Sequence, residues 1–337
     1  MKAVIIPEVG TLSVQDIPAL PEPGEYECLC QNLFASSCSG TDLKLIHNHT
    51  PWKNTYPSVL GHETVGRVVR VGRSVRHFRE GDIVLRPVYV YPGKIRNGLG
   101  AAFGGFSEYG MITDSMSMGA DGMGSIPDYA KYQMSVPKNW AGDPSAVMFI
   151  TLKETYSWMR GLGDLEAKDI GIIGNGAVAL FFVKLAGLFG AKSISILSRS
   201  GAWFEKAEAL GAERLIRLSE TQDPKPLFDF LIDAAGILSQ LDKFIPWIKP
   251  GGTMGVYGLY QTFEASFTGF GSGLHFAFHN PDESSREIHE ACLALVRRKL
   301  VRLADFHSSV MDFEKAPEAY ELIREKKELK TVFRFKE

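Results

Sequence analysis

The segment Ile170-Gly-Ile-Ile-Gly-Asn-Gly-Ala-Val-Ala179 constrains this chain of 337 residues more than any other stretch. Its apolar start reads as a buried strand, and the Leu-Phe-Phe-Val-Lys-Leu-Ala that follows reads as a helix. Between them Gly174, Gly176 and Ala179 stand at G-x-G-x-x-A spacing. Such a turn asks for Gly174 to reverse tightly, Gly176 to let backbone approach a pyrophosphate, and the small Ala179 to let helix and strand pack closely. The helix start at Ala177 and Val178 then faces the anion with its N–H groups and the positive end of its dipole. A strand with a ribose-reading tip should follow, and ISILS does follow, ending at Ser198-Arg199-Ser200. An acid at that tip suits the free hydroxyls of NAD, whereas a hydroxyl and a guanidinium can hydrogen-bond and pair with a 2′-phosphate. The expected cofactor is therefore NADP. In the competing reading Arg199 is a solvated loop charge and NAD is used.

The alternation around this motif extends the argument. IGIIG, ISILS, FDFLIDAAG and a run from Gly252 read as strands, with FFVKLAGLFG and WFEKAEALGA helical between them. That is the pattern of βαβ units around a doubly wound parallel sheet, an α/β Rossmann arrangement. Residues 1 to about 120 read differently, as short strands and Gly-rich turns such as VGRVVRVG and GDIVL. MSMGADGMGS at 116–125 reads as a mobile loop. The last segment, FEKAPEAYELIREKKELKTVFRF, reads as a helix and then a strand.

Composition narrows the partner. A formal charge of −2, with no long Lys or Arg run, offers nothing to neutralise a phosphate backbone, so a small molecule is expected rather than nucleic acid. No apolar run reaches the roughly 18 residues of a membrane helix, and MKAVIIPEVG lacks the pattern of a signal peptide. Four cysteines, Cys28, Cys30, Cys38 and Cys292, are too few and too scattered for a disulfide framework. The expected compartment is the cytoplasm.

The motifs together resemble the medium-chain dehydrogenase/reductase family, which includes zinc alcohol and polyol dehydrogenases. The resemblance rests on Gly40-Thr41-Asp42, Gly61-His62-Glu63 with Gly66, Gly81-Asp82, Gly104-Gly105-Phe106-Ser107-Glu108-Tyr109, the glycine fingerprint, Asp233-Ala-Ala-Gly236 and Lys249-Pro-Gly-Gly252, in that order. It implies a GroES-like β-barrel catalytic domain over 1–150, a Rossmann cofactor domain over 151–293, and a C-terminal return to the catalytic domain over 294–337. The active site would lie between the two, and a homodimer or homotetramer is expected.

In zinc-bearing members that this chain resembles, a Cys just before Gly-Thr/Ser-Asp, the His of Gly-His-Glu and a third Cys, Asp or Glu hold catalytic zinc, with the Glu after His as ligand or close neighbour. Zinc there stabilises an alkoxide or polarises a carbonyl. Here Ser39 precedes Gly40, so Cys38 is one residue out of register, and alignment on Thr155-Tyr156-Ser157 puts Ile150 in the third-ligand column. Glu154 follows one helical turn later. Cys38, His62 and Glu63 are the candidate ligands, and the two mismatched columns tilt the expectation slightly toward a metal-free site. The structural-zinc lobe would fall in VYVYPGKIRNGLGAAFGG, which has no cysteine, so structural zinc is not expected.

Thr41 matches the hydroxyl that in the family passes a proton between substrate and solvent, so Thr41, His62 and Glu63 are the candidate catalytic residues. His47 and His49 suit either a substrate mouth or a surface loop, and Tyr89 and Tyr91 read as half-buried strand aromatics. His275 and His279 could share a metal only on a helix. The leading function is an NAD(P)-dependent oxidoreductase passing a hydride between nicotinamide and a small alcohol or polyol, or its carbonyl. Its rivals are a zinc-independent reductase of an activated C=C or C=N bond and a nucleotide-binding protein without turnover.

Overall fold

The structure, a computed structural model, describes residues 1–220, 225–236, 238–258 and 273–336. The chain divides into two compact units, one of Met1–Ile150 with His307–Glu337 and one of Thr151–Phe306. Residues 294–306, expected with the C-terminal return, thus cluster with the second unit, where the Phe306 ring stacks on Phe181 at 3.6 Å.

The first unit is built on two sheets. In the larger, strands run in the order Ser309–Asp312, Thr331–Arg334, Glu27–Ser36, Thr64–Val71, Ile83–Leu85, Ser135–Val136, with Tyr109–Thr113 also paired to Glu27–Ser36. The smaller has the order Ser13–Asp16, Lys2–Ile6, Ser58–Val59, Gly100–Ala101. Lys2–Ile6 is buried at every position but its first, which explains its apolar run AVII. The terminal strand Thr331–Arg334 lies antiparallel to Glu27–Ser36, with Val332 opposite Ser36. The C-terminal helix Ala316–Arg324 presents Ala316, Ala319, Tyr320 and Ile323 to a core shared with Phe106, Phe313 and Phe333. Gly61 has φ +97°, and a Cβ there would stand 1.8 Å from the Phe106 ring, so only glycine lets that ring close over the turn entering His62.

The segment expected to be a loop after residue 115 begins instead as a helix, Ser115–Ala120. Asp114 caps it and ties down the Arg76–His77 turn. Its buried carboxylate accepts from the backbone N–H groups of Ser117 (2.9 Å), Arg76 (2.9 Å) and His77 (3.0 Å) and from the Ser117 hydroxyl (2.6 Å). Burial alone would raise its pKa, but these donors bring it down to about 2. A depressed carboxyl pKa stabilises the fold above the unfolded value of about 4 and loses that contribution as pH falls through about 2. Asp114→Ala should therefore cost about 2–4 kcal/mol at pH 7, read from urea unfolding, with the difference shrinking in acid.

The second unit holds a six-stranded sheet in the order Arg214–Arg217, Ser193–Ser198, Asp169–Ile173, Phe228–Asp233, Ile248–Val256, His275–Ala277, every neighbouring pair parallel. In chain order this is 3-2-1-4-5-6, the doubly wound arrangement, with its switch point between Asp169–Ile173 and Phe228–Asp233. The helix Ala177–Leu188 carries apolar residues on most of its circumference because it is buried on most of its circumference. His275 lies in the edge strand rather than on a helix, so the four-residue spacing to His279 does not bring the two onto one helical face. Among the described residues no helix is long and apolar enough to cross a membrane.

Candidate active site

In the second unit, the chain reverses at Gly174 with φ +113°, its N–H bonded to the Leu197 carbonyl at 2.8 Å. A Cβ at Gly174 would press on Ala235, at 3.3 Å. Gly176 is the N-cap of Ala177–Leu188, with φ −76° and ψ 178°. A Cβ on Gly176 would meet nothing within 4 Å, so the space in front of the helix start is open. Ala179 is buried against the sheet. Across the switch point, buried Asp233 closes the facing turn, its carboxylate accepting from the N–H groups of Ala235 (2.9 Å) and Gly236 (3.0 Å). Ser198 is the last residue of its strand and is buried, while Arg199 and Ser200 are exposed beyond it. Asn175 reaches from the glycine turn to the Ser200 hydroxyl at 3.4 Å, so fingerprint and strand tip border one open space at the carboxyl end of the sheet.

In the first unit, strand ends converge on a second group. Glu63 directly precedes Thr64–Val71, Ser36 ends Glu27–Ser36, and Lys330 directly precedes Thr331–Arg334. Cys38 is the N-cap of Ser39–Ile46 in an extended conformation. Its carbonyl accepts from the Asp42 N–H at 2.8 Å, and its own N–H donates to Asp42 Oδ2 at 2.7 Å. The helix therefore starts at the thiol, and the extra Ser39 is absorbed in its first turn. Donor atoms of Cys38, His62 and Glu63 lie within 4.8 Å of one another, the group of this kind found among the described residues. Ile150 is buried and apolar and supplies no donor, while Glu154 belongs to the second unit. Thr41 lies half-buried on the same first turn as Ser39.

The group is charged and almost dry. His62 is 6% exposed, with Nδ1 3.5 Å from Asp42 Oδ1 and Nε2 3.7 Å from Glu63 Oε1. Asp42 Oδ2 also accepts from the Tyr320 hydroxyl at 2.5 Å. Glu63 is held by the Lys330 ammonium, 2.8 Å from Oε1 and 2.7 Å from Oε2, and by the Ser36 hydroxyl. Burial would raise the Glu63 pKa, yet Lys330 and His62 hold it below the usual carboxylate range. Burial opposes a charged His62, but Cys38 and Asp42 beside the ring hold its pKa well above the ordinary imidazole value. Burial and the Asp42 carboxylate push the Tyr320 phenol up.

These features fit a divalent cation. The Cys38 thiol and the carboxylates of Asp42 and Glu63 gather round the His62 ring in a largely buried site, with the Lys330 ammonium on Glu63. His62 Nδ1 and Asp42 Oδ1 are buried atoms without a hydrogen bond, and the sulfur, nitrogen and oxygen donors suit zinc. The sequence drew attention to Cys38, His62, Glu63 and Thr41. It offered no signal for Ser36, Tyr320 or Lys330, of which the last two reach the site from as far as 278 positions away through the terminal helix and strand.

An apolar wall stands beside this group. The Phe103 ring is 5.0 Å from the His62 ring and is flanked by Trp52 at 6.2 Å and Tyr129 at 6.4 Å. His47 and His49 are exposed with rings 6.2 Å apart. Tyr89 and Tyr91, expected as strand aromatics, lie outside the strands: Tyr89 is buried and accepts from Asn97 at 2.9 Å, and the Tyr91 phenol meets the Thr113 hydroxyl at 2.7 Å.

Residues 27–128 match the family model for the alcohol dehydrogenase GroES-like domain. Among curated proteins, the chain is 26% identical to cinnamyl alcohol dehydrogenase 3 of Arabidopsis thaliana, over 71% of this chain and 66% of that one. It is also 26% identical to L-threonine 3-dehydrogenase of Caldanaerobacter subterraneus subsp. tengcongensis, over 71% of each. The matched segments thus span about two thirds of these relatives' length. Among solved structures, alcohol dehydrogenase TADH from Thermus sp. ATN1 superposes with a TM-score of 0.76 at 24% identity over 100% of both chains. A dehydrogenase of Sinorhizobium meliloti 1021 solved with NADP bound gives 0.77 at 24% identity, over 99% of this chain and 98% of that one. These likenesses give the first unit its GroES-like character and the whole chain its two-part dehydrogenase fold.

Proposed function

We propose that the chain is a medium-chain dehydrogenase of the alcohol and polyol type, an NADP-dependent enzyme oxidising a small alcohol or polyol, or reducing its carbonyl, with a divalent metal held by Cys38, His62 and Glu63. The observation that carries the metal reading is the convergence of a thiol, an imidazole and a carboxylate, with donor atoms within 4.8 Å of one another, on a nearly dry site. A bound metal would supply Lewis acidity toward the substrate oxygen. The protein's own groups do the rest. Asp42 orients His62 through Nδ1, Lys330 and Ser36 fix the Glu63 carboxylate, and the Phe103–Trp52–Tyr129 wall excludes water and packs the carbon skeleton of the substrate. Thr41 is the hydroxyl through which the alcohol proton leaves. Zinc assayed on protein purified without chelator tests this reading. Metal-free protein that reduces an activated C=C or C=N bond would replace it with the zinc-independent reductase, which the apolar Ile150 favours.

NADP rather than NAD is read from Ser198, Arg199 and Ser200 at the strand tip, which has no acid to meet a ribose diol. NADPH should bind at least about tenfold more tightly than NADH, a difference of ~1.4 kcal/mol. Ser198→Asp should reverse the order by adding a charge that repels a 2′-phosphate. Fluorescence titration with both cofactors reads this, and a wild-type preference for NADH would refute it. Cytoplasmic location and assembly into a homodimer or homotetramer complete the proposal.

A further inference from the structure

We infer that Arg217, on the neighbouring strand, is a second specificity-determining cation for the cofactor's 2′-phosphate; the inference rests on the NADP reading of the Ser198–Ser200 tip. A phosphate monoester carries about −1.5 to −2 charges at neutral pH, and Arg199 alone leaves much of that uncompensated. The sheet supplies a partner. Arg214–Arg217 runs parallel to Ser193–Ser198, with Arg217 in register with Ser198 and the Leu218 N–H bonded to the Ser198 carbonyl at 3.0 Å. Two residues 19 positions apart in sequence thereby end side by side at the carboxyl edge of the sheet, where doubly wound folds bind their ligands.

The Arg217 guanidinium turns back over the tip. A Cβ built on Gly201 would stand 2.9 Å from Arg217 Nη2 and 3.3 Å from Nε, so the guanidinium lies against the backbone that follows Ser200. Gly201, at φ +62°, provides both the reversal and the room for it. Nη1 meets Glu220 Oε1 at 2.9 Å, a pair with both side chains about half exposed or more, which holds the fork over the tip. On the opposite side Asn175 joins the glycine turn to Ser200. Ser200 thus sits between the fingerprint turn and a fixed guanidinium, and a phosphate at the ribose 2′ position would take bonds from Arg199, Arg217 and the serine hydroxyls. Planar forks of this kind bind phosphate oxygens in pairs, which a lysine cannot reproduce.

The test is equilibrium binding to the full-length protein, by intrinsic fluorescence, of NADPH, NADH and 2′,5′-ADP. Arg217→Gln should weaken NADPH and 2′,5′-ADP by about ten- to a hundredfold, the range of a charge-assisted bidentate contact, while NADH stays within about threefold. Arg217→Lys should recover only part of the loss. Gly201→Ala, which pushes the guanidinium away, should act in the same direction as Arg217→Gln. A loss shared equally by NADPH and NADH would mean that Arg217 merely supports the fold and would overturn the inference, as would unchanged NADPH affinity. A wild-type protein without any NADPH preference removes the NADP reading itself, and with it this role for Arg217; a preference that survives Arg217→Gln leaves that reading standing and removes only Arg217.

Discussion

Gly176→Val should abolish measurable binding of NADPH and NADH alike, a loss of at least about a hundredfold or ~2.7 kcal/mol, while leaving the protein folded. Three features of the site combine in this expectation. Gly176 has φ −76° and ψ 178°, extended backbone that valine adopts without strain. Nothing lies within 4 Å of a Cβ at that position, so no packing is lost. The side chain would instead fill the open space in front of the helix start, where the backbone has to approach a pyrophosphate. Gly174 makes the useful contrast. With φ +113° and Ala235 at 3.3 Å, Gly174→Val should lose cofactor binding and stability together. Unfolding curves superimposable on wild type, with cofactor titrations flat for Gly176→Val, are the expected result. Retained affinity for either dinucleotide would show that the pyrophosphate lies elsewhere.

His62→Ala should remove the metal and alcohol oxidation together, with the rate falling about a thousandfold, or ~4 kcal/mol of transition-state stabilisation. His62 is the one nitrogen donor of the cluster, and it is the group that links Asp42 to Glu63 across the site. Its loss leaves Cys38 and Glu63 as the remaining donors of the group, with Glu63 already paired to Lys330, too few to hold the metal. Metal content by elemental analysis and turnover on an alcohol panel should fall in step. Full turnover in a metal-free His62→Ala protein would move the chemistry to Thr41 or Glu63 acting as proton donor, and so to the zinc-independent reductase.

The sequence alone determined four of the six strands of the second unit and the turn between the first of them and its helix, but neither the strands Arg214–Arg217 and His275–Ala277 nor the unit's end at Phe306. Strand period, glycine turn and helix period are local properties, and the run from Ile170 to Ala186 already dictates a strand, a reversal and a buried helix, because φ/ψ limits and burial act within a few residues. The same locality made the Ser198–Ser200 tip readable. The β-rich unit yielded several of its strands to inspection but not its sheets, whose pairings are non-local and, for the terminal strand Thr331–Arg334 against Glu27–Ser36, join the two ends of the chain. Only the resemblance to known dehydrogenases suggested a barrel.

The candidate metal group shows where local reading ends. By spacing, Cys38 is displaced by one residue, and sequence offered no way to see that Asp42 would take both its N–H bond and a place beside His62, starting the helix at the thiol. Nor could spacing reveal Lys330, a lysine in a charged C-terminal run that looks solvent-exposed. It is buried because Thr331–Arg334 pairs with Glu27–Ser36, which carries its ammonium to Glu63 across 267 positions. Arg217 reads equally as a surface charge until the parallel register sets it beside Ser198. The type of each element followed from short-range sterics and hydrophobic period. Which charges meet was decided by strand register and chain return, and those are fixed only when the whole core packs.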